Sequence, residues 1–348
     1  MAAVGDNVRV RTFARAGCTE VFASATAPWD TPAGTVIARL ERVAERHSAK
    51  LVSRGLHVSR GQPLELNLTL GTVPDLVAYL WAVAGVKVTS LAERDDIVAN
   101  SFSDGHAYYL HANLSPTDKA KPRADQAREL FERMDALLRS CGMSFHNVVR
   151  TWFHLRHILE WYDDFNAVRN AFYAEQQLDR QNLPASTAVG TLPPGDAALS
   201  AGLLALKPVK PDSPVQVAAV PSPQQGPAQD YGSAFSRAIE ITAPDHRRLL
   251  ISGTASIDER GATLHPRRFH PQMAKTFGVV GWLLESRGMG WADVLHGVAY
   301  IRRAEDIPAL EKFMRPRGIP PIHVVPVAAT VCRDDLLFEL EIEAGVVT

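Results

Sequence analysis

The sequence has few cysteines, no excess of one charge and no long apolar run. The three cysteines, Cys18, Cys141 and Cys332, are far apart and odd in number, which argues against a disulfide framework and a zinc knuckle. The 37 basic and 38 acidic residues nearly cancel, so charge points neither to nucleic acid nor to a membrane surface. A membrane helix needs about 18 consecutive apolar residues, and none are found here. The N-terminus lacks the apolar core of a signal peptide, so we expect a cytoplasmic protein.

Motifs for metals and nucleotide cofactors are also missing. His154 and His157 are three residues apart, but no acidic or thiol ligand follows at a matching spacing. The glycine spacings of a phosphate-binding loop or a dinucleotide fold are not found, nor is the Gly-x-Ser-x-Gly motif of esterases. The sequence therefore predicts no metal and no cofactor.

The sequence does contain an internal repeat. Residues 140–156 align with residues 286–302 without a gap, and a helical pattern precedes each copy. Gly142 and Gly288 follow these helices at the same place, where glycine is typical of a helix C-cap. A strand, a second helix and further strands follow each copy.

The repeat predicts the domain organisation. Each copy has the order β-β-α-β-α-β, which requires a mixed sheet with its helices on one face and hence an α+β fold. The proline-rich segment between the copies marks a domain boundary. We therefore expect an N-terminal extension that forms a partial or degenerate unit, a first unit, a connector and a C-terminal unit, at residues 1–95, 96–208, 209–230 and 231–348.

A carboxylate near the C-terminus distinguishes the second copy. Strand alternation places Glu339, Glu341 and Glu343 on one face, opposite an apolar face. We expect Glu341 and Glu343 to be solvated, as acids usually are. Aligning the last strands of the two copies places Ser200 at the position of Glu339. A structural requirement of the fold would be expected in both copies, so we interpret Glu339 as a site residue.

Cys332 is a second candidate in the same segment. It precedes Glu339 by seven residues, and this odd spacing places the two side chains on opposite faces of an unbroken strand. Residues 333–335 have the composition of a turn, which would bring the thiol and the carboxylate into one cleft. The alternative is a small buried core residue. No histidine or lysine lies nearby in sequence, so we do not expect a thiolate nucleophile.

Two arginines on the central strand of the first unit are candidates for binding an anionic ring. Arg150 and Arg156 share a strand face with Trp152 and His154. Arginine binds carboxylates through two parallel hydrogen bonds, so this face suits a ring that bears a carboxylate. Either arginine can equally pair with a structural acid such as Asp163.

Further candidates follow the connector. Tyr231 and Arg237 lie in a segment that joins two domains and are placed to line the cleft between them. Gly253 and Ala255 belong to a run of small residues that closes a strand, where a ligand can approach the backbone.

The chain resembles the YjgF/Rid superfamily through Pro184-Ala-Ser-Thr-Ala-Val-Gly190, Val148-Val-Arg-Thr-Trp152 and Ile251-Ser-Gly-Thr-Ala-Ser-Ile257. Within that superfamily it resembles the chorismatases of the FkbO/Hyg5 type, through residues 231–238 and the ending 332–339. The resemblance implies two fused Rid-like units and a cofactor-free enzyme that removes the enolpyruvyl group of chorismate as pyruvate. It also implies that Glu339 is the catalytic glutamate. A cysteine at the position of Cys332 is implied for members that make 3-hydroxybenzoate.

The expected partner is thus a small carboxylated cyclic substrate, with no nucleic acid and no membrane. The protein is expected to be a homo-oligomer, or a monomer whose fused units replace packing between subunits. One alternative is a Rid-like enzyme that acts on an imine, an enamine or another carboxylated intermediate. The substrate-binding arginine of simple Rid deaminases would fall near Val324, so their mechanism has little support. Another alternative is a small-molecule-binding protein without catalysis, because a fold does not determine function.

Overall fold

The computed structural model describes residues 8–28, 31–58, 76–93, 96–320 and 324–348. The first of its three sheets lies nearest the N-terminus and is antiparallel, with the strand order β1-β2-β4-β3. Its strands are β1 (Val8–Arg15), β2 (Cys18–Ala27), β3 (Lys50–Val58) and β4 (Leu76–Ala84). Helix α1 (Ala33–Arg46) packs its apolar face against this sheet through Val36, Leu40 and Val43.

The second sheet has six strands in the order β5-β6-β7-β10-β8-β9, and only β8 and β9 are parallel. Helices α2 and α3 cover one face of it, where they form a large apolar core with the strands. The elements are β5 (Thr89–Glu93), β6 (Asp96–Ser103), β7 (Ala107–Leu114), α2 (Arg123–Ser140), β8 (Val148–Leu155), α3 (Tyr162–Glu175), β9 (Ala185–Gly190) and β10 (Leu199–Pro208).

The third sheet repeats this arrangement as β11-β12-β13-β16-β14-β15, with β14 and β15 parallel. Helices α4 and α5 cover the corresponding face. The elements are β11 (Gln216–Val220), β12 (Ala238–Thr242), β13 (His246–Ala255), α4 (Phe269–Glu285), β14 (Val294–Ile301), α5 (Ile307–Met314), β15 (Val324–Ala328) and β16 (Phe338–Val347). No helix in the described ranges is long and apolar enough to span a bilayer.

The structure confirms the predicted α+β class and its repeated units. Each six-stranded sheet adds an edge strand, β5 or β11, and a parallel strand, β9 or β15, to the predicted order. Strand β11 lies inside the segment that we predicted to be a connector. The first sheet has the strand order of the four central strands of the other two sheets, with a helix at the same place.

The predicted helix C-caps are confirmed as well. Gly142 and Gly288 both have a φ of +66°, in the left-handed region that glycine adopts without strain. The amide of the next residue, Met143 or Met289, donates a hydrogen bond back into the last helical turn at 2.9 Å. After each glycine, one short 3-10 turn, Phe145–Asn147 or Trp291–Asp293, leads into the strand that carries the repeat.

The faces without helices pack against one another in the centre of the molecule. They share an apolar cluster to which all three sheets contribute, including Phe22, Tyr109 and Leu250. Beside it lies a buried ion-pair network. Arg15 binds Glu20 at 2.6 Å and Asp104 at 2.7 Å, and Arg248 binds Glu20 at 3.1 Å, so the network joins the three sheets.

Candidate active site

A cleft of about 570 Å³ lies between the second and third sheets, a size typical of small-molecule sites. Helix α3 and strand β9 form one wall. The end of β13, the segment before β12 and the start of β16 form the other. The polar and small residues that line it include Tyr162, Asn166, Arg169, Ser186, Tyr231, Ser233, Arg237, Gly253, Ala255, Cys332, Arg333 and Glu339.

Six of the eight residues predicted for the site line this cleft. The two that do not are Arg150 and Arg156. The six are Tyr231, Arg237, Gly253, Ala255, Cys332 and Glu339. They come from four separate segments, which the antiparallel pairing of β13 with β16 and the loop before β16 bring together.

Glu339 is the second residue of β16, where it pairs with Ala255 on one side and Tyr300 on the other. Its side chain is buried, and no donor or cation among the described residues binds it. Burial raises the pKa of its carboxyl to about 8; the Glu341 carboxylate adds to this rise and the Arg150 guanidinium opposes it. The group therefore holds a proton near neutral pH and can act as an acid.

The register of the sheets confirms that Ser200 occupies the position of Glu339 in the first copy. Ser200 pairs with His154, as Glu339 pairs with Tyr300, and the repeat alignment places His154 and Tyr300 at the same position. The carboxyl is thus a feature of the third sheet alone.

The expectation that Glu341 and Glu343 are solvated is wrong. Glu341 is buried and binds Arg150 at 2.7 Å and the indole of Trp152 at 3.1 Å. Glu343 forms an ion pair with Arg248. Arg150 from the second sheet thus neutralises Glu341, and Arg248 from the neighbouring strand β13 of the same sheet neutralises Glu343.

Arg150 and Arg156 therefore belong outside the cleft. Arg150 is held by an acid, the alternative that the sequence left open, although the acid is Glu341 rather than a residue of α3. Arg156 donates to the backbone carbonyls of Gly195 at 2.7 Å and Ala197 at 3.3 Å, on the same unit. Strand alternation predicted that they share a face, but not what covers that face.

A turn brings Cys332 into the cleft with Glu339. Residues 333–335 leave the strand direction, the Leu336 amide donates to the Arg333 carbonyl at 3.2 Å, and β16 begins only at Phe338. Burial, together with the nearby Glu339 carboxyl, raises the pKa of the Cys332 thiol to about 12. The thiol therefore stays protonated and is a neutral polar group of the cleft rather than a nucleophile.

Three arginines converge on the cleft without an acid partner among the described residues. Arg169 donates to the Asn166 side chain at 2.6 Å, and its Nε has no partner. Arg237 donates twice to the Gly226 carbonyl, at 3.0 and 2.6 Å. Arg333 donates to a backbone carbonyl and lies 5.6 Å from the centre of the Tyr231 ring. These guanidiniums offer donors to an anion inside the cleft, while the exposed acids Glu160, Asp163, Asp164 and Asp334 lie at its edge.

Sequence reasoning missed Arg169, Arg333 and the other α3 residues of the cleft. Arg169 lies on the buried face of α3, one turn from Phe165, and is only 1% exposed. An arginine on the apolar face of a helix is a signal that could have revealed it. Arg333 has no comparable signal, because it sits in a turn where basic residues are usual.

Known proteins share sequence and structural similarity with this chain. Residues 80–205 match the family described as chorismatase FkbO/Hyg5-like, N-terminal. A crystal structure of chorismatase superimposes with a TM-score of 0.63 and 18% identity, covering 85% of this chain and 99% of that one. The class that the fold defines is thus an α+β protein of the chorismatase architecture.

Two curated relatives are similar over longer stretches. The 3-hydroxybenzoate synthase of Streptomyces hygroscopicus is 25% identical over 308 residues, which cover 82% of this chain and 86% of the relative. A chorismatase of the same organism is 28% identical over 235 residues, which cover 63% and 67%. The predicted resemblance to the FkbO/Hyg5-like chorismatases is confirmed.

Proposed function

We propose that the protein removes the enolpyruvyl group of chorismate as pyruvate and forms 3-hydroxybenzoate. The observation that carries this proposal is the state of Glu339. It is a buried carboxyl with a raised pKa, and it faces a cleft that contains three arginines. Within the described part of the chain, no cation binds this carboxyl and no acid pairs with the three arginines. The relatives named 3-hydroxybenzoate synthase and chorismatase support the substrate and product.

The cleft arginines account for binding of a dianion. Chorismate carries two carboxylates, one on the ring and one on the enolpyruvyl group. Arg169, Arg237 and Arg333 would share them, because each has donors that no carboxylate of the described ranges occupies. Tyr231 lies beside Arg237 and can donate its hydroxyl to a ring or ether oxygen. Burial raises its pKa, so that hydroxyl keeps its proton.

Glu339 then acts as the general acid. It donates its proton to the terminal methylene carbon of the enolpyruvyl group, which leaves the carbon bearing the ether oxygen electron-poor. When the ring hydroxyl attacks that carbon, a cyclic ketal forms; the bond between the attacking oxygen and the ring then breaks, the ring loses the proton of its ether-bearing carbon and becomes aromatic, and the remaining hemiketal collapses to release pyruvate. When water attacks instead, the hemiketal collapses to pyruvate and the ring diol. Formation of 3-hydroxybenzoate and pyruvate uses all atoms of chorismate and adds none. The hydrolytic outcome consumes one water and leaves a cyclohexadiene diol.

Cys332 would act on the choice between these two outcomes. Its neutral thiol lies in the same wall of the cleft as Glu339. A thiol in place of a water molecule at this point favours the internal route over hydrolysis. The name of the relative from Streptomyces hygroscopicus supports the aromatic product.

Incubation of the purified protein with chorismate tests the proposal, with pyruvate followed by a coupled assay and ring products by chromatography. Glu339→Gln keeps the shape of the side chain but cannot donate the proton, so we expect kcat to fall by about 100-fold or more. Glu132→Gln on the exposed face of α2 is the matched control and should leave the rate unchanged. Intact chorismate with the wild-type protein, or full activity of Glu339→Gln, would refute the proposal.

No observation favours the deaminase alternative. Val324, at the place expected for its substrate-binding arginine, is buried in the core beside α5. Ammonia release from imino acids is the measurement that would support that reaction instead. Tight binding of an aromatic acid without turnover would support a non-catalytic binding protein.

A further inference from the structure

We propose that Arg150 and Glu341 are positioning residues for Glu339, and that this buried pair, which spans two units, holds the acid and the backbone opposite it in their working arrangement. Arg150 lies on β8 in the second sheet, and Glu341 lies on β16 in the third. The inference rests on the proposed role of Glu339 as proton donor. It assigns to Arg150 a function different from the substrate contact that its sequence pattern suggested.

The contacts of Glu341 show how firmly it is held. Arg150 Nη2 donates to Glu341 Oε2 at 2.7 Å, and Trp152 Nε1 donates to Glu341 Oε1 at 3.1 Å. Both donors come from β8, so both carboxylate oxygens are bound by the neighbouring unit. Two such partners fix a buried carboxylate in place. It lies two residues beyond Glu339, on the same face of the strand.

The other contacts of Arg150 reach the backbone that faces Glu339. Its Nη1 donates to the Ile251 carbonyl at 2.8 Å, and its Nη2 also donates to the Thr187 hydroxyl at 2.7 Å. That hydroxyl oxygen accepts the Gly253 amide at 3.0 Å. The register of β13 against β16 shifts between Ile251 and Thr254, so these contacts surround a bulge. The bulge carries Gly253 against the Glu339 carboxyl.

The charges of the pair act on Glu339 in opposite directions. The Glu341 carboxylate raises the pKa of Glu339, and the Arg150 guanidinium lowers it. The other titratable groups around this carboxyl and in the cleft do not contribute to its pKa. Those with raised pKa values are Tyr300 on β14, Tyr162 on α3, Cys332 in the loop before β16 and Tyr231 before β12. The charged groups of the cleft are Arg169, Arg237 and Arg333, and the exposed acids Glu160, Asp163, Asp164 and Asp334.

Because Arg150 and Glu341 carry opposite charges, removing one or the other should shift the pKa of Glu339 in opposite directions. A purely structural role for the pair predicts no such difference in sign. In Glu341→Gln the amide keeps the shape of the side chain and a carbonyl for Arg150, but the negative charge is gone. The pH at which kcat falls on the alkaline side should drop by on the order of one unit. In Arg150→Met the guanidinium that lowers the pKa of Glu339 is gone, so the same fall in kcat should move to higher pH. Arg150→Lys keeps the charge without the forked contacts and should lower kcat while the limb stays near its wild-type position.

Glu343→Gln is the matched control for the loss of an acid. Glu343 lies on the same face of β16, is held by Arg248, and does not contribute to the pKa of Glu339. We expect kcat of this variant to fall on the alkaline side at the same pH as kcat of the wild type. Thermal unfolding of each variant shows whether it is folded before its kinetics are compared.

A titration without substrate separates this inference from the proposed function. The infrared band of the protonated carboxyl that disappears in Glu339→Gln gives the midpoint of Glu339 directly. A lower midpoint in Glu341→Gln and a higher one in Arg150→Met would support the pair, even if chorismate is not the substrate. An unchanged midpoint in Glu341→Gln, or shifts of the same sign in both variants, would overturn it. Failure of the wild-type protein to consume chorismate would refute the proposed function alone.

Discussion

The backbone of Gly253 lies directly against the carboxyl of Glu339. A Cβ atom on Gly253 would come within 1.9 Å of Glu339 Oε1 and 3.1 Å of Thr187 Cγ2. No side chain can occupy this position while the carboxyl stays where it is. The glycine therefore makes room for the acid.

Gly253→Ala should displace the Glu339 carboxyl and leave the fold intact, because the clash is with the end of a flexible side chain. A shift of about 1 Å at a reacting group can reduce kcat by about 10- to 100-fold, and we expect a loss in this range. Steady-state kinetics with chorismate measures it. Gly278→Ala in α4, where an added Cβ meets nothing within 4 Å, is the control. Wild-type kcat in Gly253→Ala would contradict the assigned geometry.

Arg169→Met should weaken substrate binding. The side chain is buried and has no acid partner among the described residues, so its loss removes a charge-assisted contact with the anion. Such contacts contribute about 1.5 to 3 kcal/mol, which corresponds to a rise in KM of about 10-fold or more. Arg156→Met outside the cleft is the control, and its KM should not change. Equal increases in the two variants would show that Arg169 has no special role.

Cys332→Ala should change the products rather than the rate of pyruvate release. The pKa of the thiol is about 12, so it stays neutral and its removal should not shift the pH limb set by Glu339. We expect less 3-hydroxybenzoate and more cyclohexadiene diol, measured as a ratio by chromatography. Cys141→Ala, just after α2, is the matched control. An unchanged product ratio would remove Cys332 from the mechanism.

The raised pKa of Glu339 makes stability depend on pH. Its carboxyl has a folded-state pKa of about 8 and an ordinary value near 4.5 when unfolded, so the folded protein binds the proton more tightly. The resulting contribution to stability is fully present below about pH 4.5 and is lost as the pH rises through 8. At about 1.4 kcal/mol per unit of pKa difference, the loss amounts to several kcal/mol.

Denaturant unfolding of the wild type and of Glu339→Gln across this range isolates the contribution. The free energy of unfolding of the wild type should fall relative to that of the variant as the pH rises. A constant difference between the two proteins would mean that the pKa of Glu339 is not raised.

Several features of the fold followed from local patterns. The repeat predicted that β8 and β14 are equivalent strands of their two sheets. The glycines after α2 and α4 predicted where those helices end, because a C-cap depends only on residues a few positions away. Comparison of the copies also singled out Glu339 against Ser200. The turn after Cys332 was readable from composition alone.

The partners of the charged residues were not predictable in this way. Arg150 and Glu341 are 191 residues apart, and no local sequence pattern at either residue identifies the other as its partner. The two acids after Glu339 looked solvated because strand alternation shows which residues share a face, but not what packs on that face. The role of Arg169 was missed because it depends on the opposite wall of the cleft, which residues of the C-terminal unit form.

The sequence by itself determined the repeated units, their order of elements and the acid that only one copy carries. These depend on periodicity, capping and turn chemistry, which neighbouring residues decide. Only the tertiary structure decided that Glu339 stands without a cation while Glu341 is neutralised by Arg150. Both are acids on one strand face, and their chemistry differs because burial and charge partners arise from the packing of separate sheets.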